Sequence, residues 1–270
     1  MTRTATAACL VALTMAALAG CGGGPAAPSV TTPAPAVPTT AACSGLGDAV
    51  SAATAIVNGA DCPAANASVV LLNLKDAGGL QIGSCTGSVI AARAILTAAH
   101  CLHGLTAAIN VFAGSGPQQV TTTFAAHPSW RETNSPAYDV GVVLMPSDIG
   151  RTPIPLLLSR DARVGETAIL SGWGKDSAGV PSTLRAGSAT ITAVLPLTLQ
   201  TTYTTSAASV CQGDSGGPLL LQESGVWAIA GVISANSTLA CSFGDNFFAN
   251  LRQSEIASFI RGKAPDAVSR

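Results

Sequence analysis

Short apolar runs recur along most of this chain, each closed by Gly, Pro, Asn or Ser. Val, Ile, Leu and Thr cluster at 69–74, 88–96, 109–113, 140–145, 167–171, 189–195, 218–221, 226–234 and 246–251. Runs of this length, rich in β-branched residues and punctuated by turn formers, predict antiparallel strands. A sustained helical period is delayed until 254–261. There Ile256, Phe259 and Ile260 fall on one face, and Ser254 is placed to cap the first turn. Periodicity alone predicts an all-β domain followed by one C-terminal α-helix.

The N-terminal end breaks this pattern. Arg3 is the only charge in residues 1–20, and the apolar stretch 5–19 is too short to cross a bilayer as a stable helix. A short apolar core behind a basic residue predicts a signal peptide over 1–20. It ends in Leu18-Ala19-Gly20-Cys21, which resembles a bacterial lipobox, whose cysteine is diacylated and becomes the new N-terminus. The alternative is ordinary secretion with cleavage after a small residue. Two or more acyl chains anchor a protein stably where one does not. The expected location is therefore extracytoplasmic, lipid-anchored through Cys21 to the outer face of the cell membrane, or secreted. Residues 22–40 are Gly, Pro, Ala, Ser, Thr and Val without charge, which predicts an extended spacer. Residues 21–55 are read as lipidated cysteine, linker and propeptide, and 56–270 as the folded domain.

Charge narrows the function classes. Only 10% of the 270 residues are charged and the net charge is −1, so no basic field attracts nucleic acid. With 48% apolar residues, one core of about 200 residues can form. Of the eight cysteines, Cys9 lies in the signal and Cys21 would be lipidated. Cys43, Cys62, Cys85, Cys101, Cys211 and Cys241 remain. An even remainder in an exported chain predicts disulfides, with the pairing open by count alone. No Cys/His cluster has zinc spacing, no Gly-rich loop precedes Lys-Ser or Lys-Thr, and no acidic loop reads as a calcium site, so no cofactor is expected.

The chemistry concentrates in Cys211-Gln212-Gly213-Asp214-Ser215-Gly216-Gly217-Pro218. A serine among glycines can expose its hydroxyl on a turn while amide N–H groups converge on one point. A serine hydroxyl is a weak nucleophile alone, so this string predicts a base elsewhere and an acid to orient it. Leu96-Thr97-Ala98-Ala99-His100-Cys101 offers the histidine, and Tyr138-Asp139-Val140-Gly141 offers the carboxylate. Singly, each has a bland reading: a structural His, a strand-edge charge, a turn Ser. Joined by Ile56-Val57-Asn58-Gly59, His127-Pro128-Ser129-Trp130 and Ser171-Gly172-Trp173-Gly174, they make the chain from residue 56 onward resemble the trypsin/chymotrypsin family of serine peptidases, in its His, Asp, Ser order.

That resemblance implies two antiparallel six-stranded β-barrels with a C-terminal α-helix, His100 and Asp139 belonging to the first barrel and Ser215 to the second. In the family template Ser215 is the nucleophile, His100 the general base, and Asp139 the group that orients the imidazole. The N–H groups of Gly213 and Ser215 form the oxyanion hole. Ser234 matches the serine that hydrogen-bonds the triad aspartate. Trp173 falls in the core, while His103 and His127 take surface or packing positions.

Further family features carry over residue by residue. The resemblance implies the bridges Cys85–Cys101 and Cys211–Cys241, which leaves Cys43 with Cys62, two free thiols being the rival. Ile56 matches the N-terminus exposed on zymogen cleavage, here of the Ala55–Ile56 bond, whose amine pairs with Asp214. Ser209 stands where trypsins carry the aspartate that binds basic side chains. Asn236 and Asn246 align with pocket-wall glycines. This departure from trypsin predicts small or medium uncharged residues before the cut bond. Protein or peptide substrates, a protein inhibitor, a monomeric state and no metal complete the expectation. The alternative function is a non-catalytic peptidase homologue used for binding or adhesion.

Overall fold

The computed structural model describes Cys43 and residues 56–134, 136–175, 183–238 and 240–270. The expected signal over 1–20, Cys21, Ala55 and the linker 21–55 apart from Cys43 lie outside the described residues.

After a two-residue strand β1 (Ala60–Asp61), the chain builds one sheet from β2 (Val69–Lys75), β3 (Gln81–Ala91), β4 (Ala94–Thr97), β5 (Ala108–Phe112), β6 (Gln119–Thr121), β7 (Phe124–Ala126) and β8 (Gly141–Leu144). Its spatial order is β6-β5-β2-β3-β4-β8-β7. β6 and β7 stand at opposite edges of that order, yet only Thr122 and Thr123 separate them in sequence. They are one bent strand that rounds the seam and closes the sheet into a six-stranded barrel. Leu144 holds the bend: its C=O accepts from Thr121 Oγ1 at 2.7 Å and its N–H donates to the Thr123 C=O at 2.9 Å.

The second sheet comprises β9 (Thr167–Gly172), β10 (Arg185–Val194), β11 (Thr198–Thr202), β12 (Pro218–Glu223), β13 (Val226–Asn236) and β14 (Asp245–Asn250). Long β10 pairs with β9 along its first half and with β11 along its second, which closes a second six-stranded barrel. β1 adds to its edge through Ala60↔Ala186 and Asp61↔Arg185. The all-β architecture with two six-stranded barrels and one C-terminal helix is thus as expected.

Local boundaries depart from the pattern in instructive ways. The apolar run 88–96 is two strands, because exposed Ala92 and Arg93 turn the chain between β3 and β4. Helix α1 (Ser254–Lys263) is capped by Gln253, not Ser254: Gln253 is extended, and its Oε1 accepts the Ile256 N–H at 2.8 Å. A longer side chain one residue earlier reaches the orphan donor that Ser254, already helical, cannot. Strands β1, β6, β7 and β11 escape the apolar pattern because they are short or rich in Thr and Gln.

Two cores result. Leu72, Ile95, Leu96, Ile109 and Val143 fill the first barrel, and the same cluster continues to Ile256 and Ile260 of α1. Leu170, Leu199, Leu219, Leu221 and Phe248 fill the second. Each such side chain contributes about 1.5–3 kcal/mol on burial. Disulfides join Cys43 to Cys62, Cys85 to Cys101 and Cys211 to Cys241. Cys85 lies on β3 and Cys101 next to His100, so that bridge clamps the histidine segment to the sheet. Closing its 16-residue separation is worth about 3 kcal/mol on a chain-entropy estimate.

Candidate active site

His100 sits on a single 3-10 turn, Ala99–Leu102, that follows β4 directly. Asp139 lies just before β8, in a tight turn where Tyr138 takes a left-handed φ of +57°. β4 pairs with β8 through Thr97↔Gly141, so the two segments emerge side by side. Asp139 has no exposed surface. Its Oδ1 accepts the His100 backbone N–H at 2.9 Å, and its Oδ2 lies 2.7 Å from His100 Nδ1 and 2.5 Å from Ser234 Oγ, which donates to it. A buried carboxylate with three donors is well satisfied. Its grip on Nδ1 leaves Nε2 as the basic nitrogen of the neutral ring.

Ser215 occupies the turn that enters β12. Four successive carbonyls of this turn are engaged: Gln212 O by Lys175 N–H at 2.9 Å, Gly213 O by Thr86 Oγ1 at 2.8 Å, Asp214 O by Gly217 N–H at 2.9 Å, and Ser215 O by Thr86 N–H at 2.8 Å. Among the described residues, neither the Gly213 N–H nor the Ser215 N–H meets a protein acceptor. Gly213 has φ +98°, and a Cβ there would lie 2.9 Å from Gly174 Cα, so this position requires glycine. The Ser215 carbonyl lies 3.9 Å from Cys101 Sγ, beside the histidine segment. Among the described residues its hydroxyl makes no protein hydrogen bond; such contacts commonly tighten only when substrate is bound.

Next to Ser215 opens a cavity of about 160 Å³, lined in part by Gln212, Ser234, Asn236, Thr238 and Cys241. Ser209 and Asn246, expected in the pocket, are not among its lining residues: both are fully buried and connect to it through hydrogen bonds that reach Asn236. Asn246 Oδ1 accepts Ser209 Oγ–H at 2.9 Å, the Val210 N–H at 3.2 Å and Asn236 Nδ2 at 2.9 Å, while Asn246 Nδ2 donates to Thr201 Oγ1 at 3.1 Å. Asn236 Oδ1 accepts the Thr238 N–H at 2.8 Å. The two amides, paired across β13 and β14, hydrogen-bond to each other. No described residue lining this cavity is charged.

Asp214, behind the turn, is 1% exposed and accepts the N–H groups of Gly174 and Cys211, each at 2.8 Å. Burial pushes its carboxyl up to about 7, against the opposing pull of these hydrogen bonds and of Arg185. Arg185, itself buried, donates through Nη1 to the Gly174 C=O at 3.0 Å and through Nε to Asp61 at 3.2 Å. A Cβ on Gly174 would lie 2.6 Å from Asp214 Oδ1, which explains the glycine there. Ile56 is buried in the second core, and Val57 bridges Ser209. Ile56 carries φ +30°, an unfavourable value for a β-branched residue.

The other singled-out residues take packing roles. His127 is buried, stacked on Tyr138 at 5.0 Å and edge-on to Phe259 of α1. Trp173 is buried and donates Nε1–H to the Val69 C=O. His103 is exposed and meets Trp130 edge-on. Sulfurs of Cys85 and Cys101 and a ring nitrogen of His100 lie within 4.8 Å of one another. Those sulfurs are bonded together, so they offer no thiolate to a metal. Thr86, Thr201 and Arg185 have no counterpart among the sequence-derived candidates; each acts through a partner far away in sequence.

Known proteins supply an independent comparison. The family model described as Trypsin matches residues 56–255. Trypsin beta of Drosophila erecta is 33% identical over 177 residues, covering 56% of this chain and 68% of that protein. Trypsin alpha of Drosophila melanogaster is also 33% identical over 177 residues, covering 56% and 67%. The solved structure of HL collagenase superimposes with a TM-score of 0.67 at 21% identity, over 77% of this chain and 98% of that one, which shows a shared fold. With its two closed barrels and a family match across most of its length, the chain belongs to the trypsin family of serine-type endopeptidases.

Proposed function

We propose that the chain cleaves peptide bonds through an acyl-enzyme on Ser215. His100 Nε2 takes the hydroxyl proton as Ser215 Oγ attacks the carbonyl carbon, and returns it to the leaving amine. Asp139 orients the ring and stabilises its charged form. The Gly213 and Ser215 N–H groups receive the oxyanion, each donor being worth about 3–4 kcal/mol of barrier. The observation that carries this reading is the fully buried Asp139 holding His100 Nδ1 at 2.7 Å. It fixes the one tautomer able to serve a serine. A fluorophosphonate probe tests it: wild-type protein should be labelled and cleave a denatured protein substrate, and Ser215→Ala should do neither. Wild-type protein that resists the probe and cleaves nothing would overturn it.

Activation follows cleavage of the Ala55–Ile56 bond. The new ammonium of Ile56 pairs with Asp214, whose buried carboxyl has, among the described residues, only backbone N–H donors for hydrogen bonds. Burial of the Ile56 side chain in the second core, at an unfavourable φ, supports a chain end seated there. The cut falls between Cys43 and Cys62, so their disulfide keeps the N-terminal segment attached. Diacylation at Cys21 then holds the enzyme at the outer face of the membrane, and Cys21→Ala should release it.

Specificity favours small or medium uncharged side chains before the cut bond. Supporting this are a cavity of about 160 Å³ with no charged side chain among its described lining residues, and two asparagines whose amides are engaged by each other and by neighbouring groups. A peptide library should return Ala, Val, Ser or Thr at that position, and a strong Arg or Lys preference would refute the assignment.

A further inference from the structure

Thr86 belongs to the first barrel, on β3, yet it supplies two of the four anchors on the Ser215 turn. Its backbone N–H donates to the Ser215 C=O at 2.8 Å, and its hydroxyl donates to the Gly213 C=O at 2.8 Å across 127 residues of sequence. The same hydroxyl accepts the Trp173 N–H at 3.0 Å, and the Thr86 C=O accepts Thr97 Oγ1–H at 2.8 Å. The side chain has no exposed surface. The single hydroxyl hydrogen is committed to the Gly213 carbonyl, which can only accept, because the Trp173 N–H can only donate to the oxygen.

The consequence follows from peptide geometry. A peptide group is planar, so anchoring its carbonyl fixes the N–H on its other side. Gln212 O and Asp214 O are held by Lys175 and Gly217, which fixes the planes carrying the Gly213 and Ser215 N–H groups. The peptides that alternate with these, 213–214 and 215–216, are the ones Thr86 holds. Gly213 has φ +98° and no side chain, so its own backbone is conformationally permissive. The Thr86 hydroxyl removes that freedom at the Gly213 carbonyl. Trp173 adjoins Gly174, whose N–H donates to Asp214, so the hydroxyl also ties the turn to the Asp214 pocket.

We propose that the Thr86 hydroxyl is a positioning residue for the oxyanion-binding turn, contributed by the opposite barrel and acting through the Gly213 carbonyl. The proposal rests on the reading of Gly213 and Ser215 N–H as oxyanion donors. It predicts a loss confined to the transition state, because a misdirected N–H still permits substrate to dock while failing the developing charge.

The test compares wild type with Thr86→Val, nearly isosteric but lacking the hydroxyl, and with Thr86→Ser, which keeps it. Cleaved enzyme is titrated with a fluorophosphonate so that rates refer to folded sites. Thr86→Val should lower kcat about tenfold at unchanged KM, equivalent to about 1.4 kcal/mol, and weaken a peptidyl aldehyde inhibitor by a similar factor. Thr86→Ser should restore both to within about twofold of wild type. Thr86→Val with wild-type kcat and aldehyde affinity would overturn the proposal, as would equal losses in both variants or a loss in KM alone. If Thr86→Val gives no titratable enzyme, Thr86→Ala is measured in its place. Failure of both to fold would assign the hydroxyl to stability and overturn positioning. Wild-type enzyme that binds the aldehyde no better than the matching alcohol would instead sink the oxyanion reading itself, whatever Thr86 does.

Discussion

Each barrel buries one aspartate, Asp139 in the first and Asp214 in the second, and the two are held by different means. Asp139, from the first barrel, receives a backbone N–H, an imidazole nitrogen and a serine hydroxyl, the last donated from β13 of the second barrel. Asp214, from the second, receives two backbone N–H groups, while burial pushes its carboxyl up to about 7. In the proposed mechanism, one carboxylate has as its partner a side chain that gains positive charge during the reaction. In the proposed activation, the other awaits an ammonium that an intact Ala55–Ile56 bond withholds. On the proposed function, the same residue type at the same burial would serve as a permanent support in one place and a conditional one in the other.

The sharpest way to break this contrast is to neutralise each carboxylate by an isosteric amide. Asp139→Asn should lower kcat about 10⁴-fold with little change in thermal stability, because the amide favours the wrong imidazole tautomer; that size is the one typical of the family triad. A loss under about tenfold in titrated enzyme would mean that the histidine does not depend on this carboxylate.

Asp214→Asn should cost the cleaved enzyme about 10²–10⁴-fold in activity, the equivalent of breaking a buried pair worth about 3–5 kcal/mol. The uncut chain carries the reciprocal signature in its pH dependence. The Asp214 pKa is raised, so burial favours its neutral form. That contribution is fully present below pH about 4 and is lost as pH rises through about 7. The total is about 4 kcal/mol at about 1.4 kcal/mol per unit. Unfolding of uncut Ser215→Ala protein between pH 4 and 8 should show this loss, and the added Asp214→Asn change should abolish it. Cleaved Ser215→Ala protein should lack it too, because Ile56 then supplies the countercharge.

Ser234→Ala removes one of the three donors on Asp139 without touching the histidine. A hydrogen bond to a charged acceptor is worth about 1.5–3 kcal/mol, so kcat should fall about thirtyfold with KM unchanged. A larger loss than that of Asp139→Asn would reverse the ranking of supports around the first-barrel carboxylate.

The sequence makes some of this legible and hides the rest for physical reasons. His100, Asp139 and Ser215 are readable because each sits in a local string with its own turn glycines or cysteines, and the resemblance then places them together. Most strands are readable because both barrels alternate apolar runs with turn formers. The closure of the first barrel is not, because it depends on β6 and β7 being one bent strand whose six residues give no pattern. Thr86 and Arg185 escape for another reason. A threonine in a strand and an arginine at a strand start look ordinary until folding sets the first against Gly213 and the second beside Gly174. Thr201 is similarly silent: its strand reads as polar, and only the pairing with β14 sets it against Asn246. Long-range polar contacts leave no period in the chain, whereas burial and turns do.

The smallest expected effect concerns the surroundings of Asp139 and carries the opposite sign to that of Asp214. His127 is buried against Tyr138, the residue before Asp139, and its Nδ1 accepts the Ser129 N–H at 3.1 Å. Burial lowers its pKa, outweighing a hydrogen bond to the Glu255 backbone and the Glu255 charge, which both raise it. The neutral ring is therefore the folded form. Its contribution is present above pH about 6.5 and is lost as pH falls, when a proton on Nδ1 would face the Ser129 N–H. One neutral hydrogen bond, about 1 kcal/mol, sets the scale. His127→Gln should flatten the acid side of the stability profile by about that amount while leaving the loss above pH 4 that belongs to Asp214. If His127→Gln instead flattened the alkaline side, the two buried regions would not titrate independently, and the division between a permanent and a conditional carboxylate would have to be redrawn.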